Sequence, residues 1–449
     1  MVLFAPFRGI TYNAQRFKDI STLVAPPYDV ITEDEQDLYY KINPYNVIRL
    51  ILGKKKRGDT DWDNRYTRAA EYFKRWQEEM VLVRARHPSL YLTRITYKLN
   101  NTTKSRWGLI GLVKIEDDGS KRILPHERTF SAYKEDRLRL MKACSAQLSQ
   151  IFGLYSDPEG TIMSNLKEKV DLDAPALDFE FIDGTRHKVW IIENDFQLFK
   201  ELTRLFQDKK IIIADGHHRY ETSRNLRDIM RLRFGKYPPN RSYEFVMMYL
   251  SNMDDDGLTV LPSHRLIKEV SGFGLDEFLA HASQFFETTE IPFSNEEDVA
   301  KKVKELLFRY GANDTALAFF AYNSPSIYIF TIKPGAREQM GDDLHPALKR
   351  LDVLVLSRLI FQKILGFSKE DMDNNRIFHY TTDIKKAMSQ VSRGDYQMAF
   401  LLNPTKIDHI KEITNSSLIM PRKSTYFYPK ILTGLVFNKI DPHEVIQLP

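Results

Sequence analysis

The sequence predicts a mixed α/β protein: an N-terminal α/β region followed by a C-terminal α+β domain. Three observations carry that reading. From Lys188 onward, short apolar runs alternate with segments of helical period, as in an α/β core. Ile211, Ile212 and Ile213 form a continuous β-branched run, the pattern of a strand buried on both faces. The chain has 449 residues, 43% hydrophobic and 28% charged, which is ordinary globular composition and too long for a single core.

The same composition excludes several classes. A net charge of +5 permits a local basic patch without requiring a nucleic-acid partner. Cys144 is the only cysteine, so neither an internal disulfide nor a multi-cysteine zinc site can form. Met1 to Ile10 contains Pro6 and Arg8 and does not read as a signal peptide. The apolar run Leu351 to Phe367 is broken by Asp352, Arg358 and Lys363, which excludes a bilayer span. The cytoplasm is the expected compartment, with no membrane partner.

In chain order, Pro26 and Pro27 of A-P-P-Y-D-V-I hold the backbone extended. Tyr28 and Asp29 therefore sit on a stiff loop, which is either a plain turn or a device presenting Asp29 to a cleft. Lys54 to Arg57, between glycines, reads as a solvated basic turn. Thr60 or Asp61 is placed to cap a helix carrying Trp62, Tyr66, Ala69, Phe73, Trp76 and Met80. Two strands follow, Leu90 to Leu99 and Trp107 to Ile115, joined around Asn100 and Asn101. In L-P-H-E-R-T-F, His126, Glu127 and Arg128 cluster beside Pro125, and a helix with Lys134, Asp136, Arg137 and Arg139 near its start comes next. Basic residues in a first helical turn oppose the dipole unless an anion or acid compensates.

The central series is strand Val189 to Ile192, helix Phe196 to Gln207, strand Ile211 to Ala214 and helix Arg219 to Phe234. Strands Phe245 to Ser251 and Leu258 to Leu261 flank the acidic turn Asp254 to Gly257, which lacks the alternating ligands of a calcium loop. His264 and Arg265 lie just past the last strand. After about Lys268 the composition changes, so the expected domains are 1–268 and 269–449. The second should hold helices Leu275 to Phe286 and Asn295 to Tyr310, strands Ala316 to Tyr322 and Ser326 to Ile332, and a buried helix Leu351 to Leu365.

The chemistry concentrates in A-D-G-H-H-R-Y-E-T, residues 214–222, where a buried strand turns into a helix. Free N–H groups and the dipole at such a junction favour an anion. Arg219 offers a fork of donors, and His217 and Glu221, four apart, share a helix face. Asp215 either caps the helix or acts chemically, activating a hydroxyl or holding the magnesium ion of a nucleotide. Adjacent histidines point about 100° apart on a helix, so His217 and His218 are not expected to grip one metal. Neither a P-loop nor a G-x-G-x-x-G fingerprint occurs, and no metal site is expected.

The strings A-P-P-Y-D-V-I, L-P-H-E-R-T, A-D-G-H-H-R-Y-E-T and M-P-R-K-S-T-Y-F-Y-P-K together resemble the prokaryotic domain-of-unknown-function family numbered ten-fifteen. Its D-G-H-H-R box is similar to the phosphate-binding box of the ParB/sulfiredoxin superfamily, which includes kinases of free serine. The resemblance implies a ParB/sulfiredoxin-like core with large insertions. Sulfiredoxin chemistry needs a cysteine in the box, and strands rather than a helix-turn-helix follow it. The implied activity is a phosphotransferase interconverting L-serine and O-phosphoserine with ATP or ADP and Mg2+. The alternative is a ParB-like, nucleotide-dependent DNA-binding regulator. In the kinase-like reading, Gly216, His217, His218, Arg219 and Arg128 hold phosphates, and Glu127 takes the serine proton with His126 beside it. Asp215 and Asp29 are reserve acids. Asp29, Lys423 and Ser424 are candidate contacts to the amino acid, while the plain reading of Lys423 is a surface lysine.

Overall fold

The computed structural model of the chain describes residues 1–117, 119–125, 131–293, 296–374 and 376–449. These form two compact units, the first comprising Met1–Pro125, Thr129–Thr259 and Pro429–Pro449, the second Val260–Tyr428. The architecture is mixed α and β, as expected from the alternating pattern.

The first unit is built on a mixed sheet. In spatial order its main strands are Ile123–Pro125, Ile211–Asp215, Ile151–Tyr155, Phe245–Asn252, Thr102–Lys114, Ser89–Leu99, Arg186–Glu193 and Leu177–Glu180, with Phe4–Ala5 pairing Thr102–Lys114. Ser89–Leu99 and Thr102–Lys114 are a hairpin closed by Asn100 and Asn101, both at positive φ (48° and 63°), a two-residue turn suited to strand twist. Ile211–Asp215 runs parallel to Ile123–Pro125 and antiparallel to Ile151–Tyr155. It is therefore an inner strand, and Ile211 and Ile213 are fully buried.

Helix Arg65–Glu78 buries Ala69, Phe73 and Trp76, the face its periodicity predicts. It starts later than Thr60 or Asp61, however. Asn64 is the cap, accepting from the N–H groups of Tyr66 and Thr67 at 2.9 and 3.1 Å. Thr60 instead closes a turn by accepting from Trp62 and Asp63, which leaves Trp62 outside the helix and 89% exposed.

Pro429–Pro449 returns to the first unit through short pairings: Thr433 with Ala25, Phe437 with Ile10, and Asn438–Lys439 with Ala146–Gln147. Glu444 anchors its far end, accepting from Arg8 at 2.8 Å and Arg84 at 2.6 Å.

The second unit holds an antiparallel sheet in the order Phe286–Pro292, Ser326–Ile332, Ala316–Ala321, Met398–Leu402, His264–Ile267, Phe378–Thr381. Alternation assigns its faces. Ala318, Phe320, Ala399 and Leu401 pack on helices Glu296–Gly311 and Ile384–Ser392, while Phe319 and Phe400 meet Phe278. The apolar segment beginning at Asp352 is helical and buried, with α-turns over Asp352–Val355 and π-turns over Leu356–Ile364. His264 lies just past strand Thr259–Leu261, as expected, and opens the next strand, His264–Ile267. It is fully buried, and its Nδ1 accepts from the Leu402 N–H at 3.1 Å, a neutral core histidine.

Burial, then Arg265, push the His264 pKa down to about 3. The unfolded state therefore binds more protons between pH 6.5 and about 3, and stability rises with pH across that window. We expect the urea midpoint to fall as pH drops below 6.5, with a shallower fall in His264→Asn. Identical slopes in the two proteins would show that His264 does not carry the effect.

Candidate anion site at the strand-to-helix junction

The box strand leaves the sheet through a bulge between Ile213 and Asp215, which turns Asp215 out of the regular register. Gly216 follows with φ of 91°, and the helix His217–Phe234 begins at once. Glycine is required twice over here. The left-handed backbone disfavours other residues, and a Cβ would lie 2.9 Å from Nε and Cζ of Arg219.

Arg219 is buried and folds back over the junction. Its Nη2 donates to Asp215 Oδ2 at 2.9 Å and its Nη1 to the carbonyl of Gln150. Lys430 Nζ, brought back by the C-terminal segment, donates to Asp215 Oδ1 at 3.3 Å. Burial pushes the Asp215 carboxyl up, but Lys430, Arg219 and His217 more than offset it and hold it well below the usual carboxylate range. Asp215 is an ion-pairing residue, not a plain helix cap.

The box helix divides its residues between two clefts. His217, Glu221 and Arg224, one stripe at helical spacing, line a cavity of about 140 Å³ floored by Ile123, Pro125 and Ile213. Glu116 stands at its rim and accepts from the N–H groups of Arg122 and Ile123 at 3.3 and 2.9 Å. Arg219 and Ser223 line a narrower cleft with Tyr28, Arg137 and Ser149. There the Arg137 guanidinium lies 3.9 Å from the centre of the Tyr28 ring, a cation–π contact. Burial, then Asp29, raise the Tyr28 pKa, so the phenol stays protonated at neutral pH.

The expected residues therefore fall into groups. Asp215, Gly216, His217 and Arg219 are together at the junction, with half-buried His218 beside them on the helix. Asp29 is exposed next to buried Tyr28. Lys423 and Ser424 belong to the second unit: the Lys423 carbonyl accepts from Arg265 at 2.9 Å, and Ser424 Oγ donates to the Pro421 carbonyl at 2.6 Å. His126, Glu127 and Arg128 lie outside the described residues. Pro125, just before them, pairs with Ile213, so the two parallel strands end at the same end of the sheet. The basic start of helix Ser131–Cys144 is compensated within the protein: Asp136 accepts from Arg137 at 2.7 Å and from Tyr66 at 2.6 Å, and also pairs with Arg65. Lys430 and Tyr28 are the contributors that residue-by-residue reading left unassigned, although both sit inside recurring strings.

Among the described residues no three of His, Cys, Asp and Glu gather to hold a metal ion, and no helix is long and apolar enough to cross a membrane.

The family model "Protein of unknown function (DUF1015)" matches residues 4–354. The chain belongs to that family. No curated protein matches the sequence. Three solved structures illustrate its distant likenesses. A conserved hypothetical protein from Pyrococcus furiosus is 11% identical, with 71% of this chain and 91% of that one covered and a TM-score of 0.31. A free serine kinase in complex with AMP is 11% identical, with coverage of 75% and 92% and a TM-score of 0.34. SbnI from Staphylococcus aureus, truncated at its C-terminus, is 9% identical, with coverage of 72% and 85% and a TM-score of 0.32. Likeness at this level carries no argument about what a DUF1015 chain binds.

Two substitutions test the junction. Lys430→Ala should lower stability at pH 7 by about 2 kcal/mol, because Asp215 loses one of its buried partners. A carboxylate held low contributes stability above its unfolded value, lost as pH falls towards its folded one, so the deficit should narrow below about pH 4. A pH-independent deficit would assign it to lost packing instead. Gly216→Ala should cost about 1–3 kcal/mol in denaturant melts from the forced left-handed backbone; an unchanged midpoint would mean Arg219 moves aside freely.

Proposed function

We propose that the protein is a small-molecule phosphotransferase, with the box as the phosphate-holding half of its site and L-serine and O-phosphoserine as the substrate pair. The observation that carries this reading is Asp215 held ionised between Lys430 and Arg219 at a glycine-opened helix start. That junction concentrates positive charge and aims backbone N–H groups at one place, which is what a phosphate needs. The choice of serine follows the kinases of free serine that share the D-G-H-H-R box.

In this reading ATP or ADP is the donor. The serine hydroxyl oxygen forms a bond to the terminal phosphorus, the bond from that phosphorus to the leaving nucleotide oxygen breaks, and the hydroxyl proton passes to a carboxylate. An acid with a strongly lowered pKa is a poor proton acceptor near neutrality. Asp215 is therefore assigned to holding Lys430 and Arg219 in place, and Glu127 is the proposed base with His126 and Arg128 beside it. His217 and His218 steady the phosphates. Mg2+ arriving with the nucleotide needs only one or two protein carboxylates, and Glu221 faces the cavity beside His217. Asp29, Lys423 and Ser424 stand as proposed contacts to the amino acid.

Incubation of the purified protein with L-serine, ATP or ADP and Mg2+ should yield phosphoserine, and the reverse mixture should yield serine. His217→Ala should reduce turnover roughly 100-fold, the usual cost of one positioned electrostatic group. Absence of turnover in both directions would end the enzymatic reading. Full turnover in Glu127→Gln would remove Glu127 as base and leave the phosphate site standing.

A further inference from the structure

The second unit contains a polar cavity of about 280 Å³ that the proposed phosphotransfer does not use. Arg337, Arg350, Lys406, His409, Asp314 and Asp352 line it. Their charges are unequally committed. Arg337 is spent on structure, donating to Asp314 Oδ2 at 3.1 Å, to Thr315 Oγ1 at 2.9 Å and to the Lys349 carbonyl at 3.1 Å. Lys406 Nζ donates to the Ala312 carbonyl at 3.1 Å, a neutral partner that leaves its charge in the cleft. Arg350 meets Glu412 at 3.1 Å, with both side chains substantially exposed, so that pair neutralises little.

Two helices also begin at the cavity. Lys406 is the N-cap of Ile407–Asn415, and Leu351 is the N-cap of the helix that starts at Asp352; neither start has a side-chain cap. Helix starts carry partial positive charge and N–H donors. The local field is read by His409, whose pKa is lowered by burial and then by Arg350 and Lys406. Asp314 is exposed, whereas Asp352 is the part-buried acid of the wall. Burial raises its pKa to about 6, against the hydrogen bond from Thr315 and the charges of Lys406 and Arg337, with Asp314 adding to the rise. Near pH 6 such a carboxyl is protonated in part and can donate to an anion, whereas at higher pH it ionises and repels one.

We propose that this cavity binds a small phosphate-bearing molecule, with Lys406 and Arg350 supplying charge and the two helix starts supplying N–H donors. The volume suits a phosphorylated metabolite smaller than a nucleotide. The site stands on the second unit alone and is independent of the junction at Asp215.

The test uses the full chain and the ring signals of His409, assigned through His409→Asn, as a reporter specific to this cavity. Inorganic phosphate and glycerol phosphate should each shift those signals saturably. Lys406→Ala and Arg350→Ala, both at exposed positions, should weaken the titration at least tenfold. Sulfate, whose charge is constant over the range, separates the role of Asp352. Its binding should weaken as pH rises from 6 to 8 in the native protein, and Asp352→Asn should bind more tightly with a shallower dependence, the remainder being carried by His409. The proposal is overturned if phosphate leaves His409 unmoved, if both charge variants titrate like the native chain, or if acetate shifts His409 as strongly as phosphate.

Discussion

A single carboxylate shared by two cations governs how the first unit is assembled. Asp215 takes Arg219 from four residues along its own helix and Lys430 from the far end of the sequence. Taking such groups out of water is costly, and the arrangement persists only because each hydrogen-bonding arm is used. Arg219 spends its other arm on the Gln150 carbonyl, which ties the helix to the neighbouring strand. Lys430 can reach Asp215 only while the C-terminal segment is laid down by Thr433 on Ala25 and Phe437 on Ile10. The pairing at Ala25 also fixes the chain just before Pro26 and Pro27. One electrostatic requirement thus holds the box, the proline loop and the tail in mutual register.

That requirement divides the labour at the junction. Arg219 is too heavily engaged to follow a ligand, and Asp215 too firmly ionised to accept a proton. Both instead shape the potential around Gly216. What the helix presents outward is its other stripe, His217 and Glu221, over a floor of Ile123, Pro125 and Ile213. An apolar floor beneath polar walls raises the strength of each charge interaction above it, because little water screens them from below. Firm residues underneath and adaptable ones facing the cavity are the arrangement expected of a site that must recognise charge repeatedly without rearranging.

The box was legible because everything that defines it is local. Three β-branched isoleucines, a glycine and a change of period from strand to helix are read within fourteen residues, and the structure reproduces that order. Its partners were not legible in the same way. Lys430 closes a recognisable string, yet nothing nearby states that it crosses back to Asp215, 215 positions earlier. Tyr28 looked like half of a loop pair with Asp29, and only packing shows the ring beneath Arg137. The helix beginning at Arg65 had several competent caps within a few residues. Asn64 prevailed because Thr60 found a local turn and the aromatic face of the helix set the phase. The second unit's last strands, Phe378–Thr381 and Met398–Leu402, are short and continuous in apolarity, a pattern that periodicity alone does not separate from a buried helix.

Histidines show how environment, not residue type, assigns roles in this fold. His187 and His264 both have pKa values pushed down to about 3 by burial. Each is held locally, His187 by Thr185 Oγ1 at 2.8 Å and stacking on Phe179, His264 through its Nδ1 by the Leu402 N–H. They are shaped, neutral core residues. His217 and His409 are only part-buried, and each faces a cavity among cations. At His409, whose pKa is lowered by burial and then by Arg350 and Lys406, an arriving anion cancels the field that opposed protonation. The same coupling would make anion binding at the second unit's cavity a proton-uptake step, which distinguishes a working basic cleft from a merely solvated one.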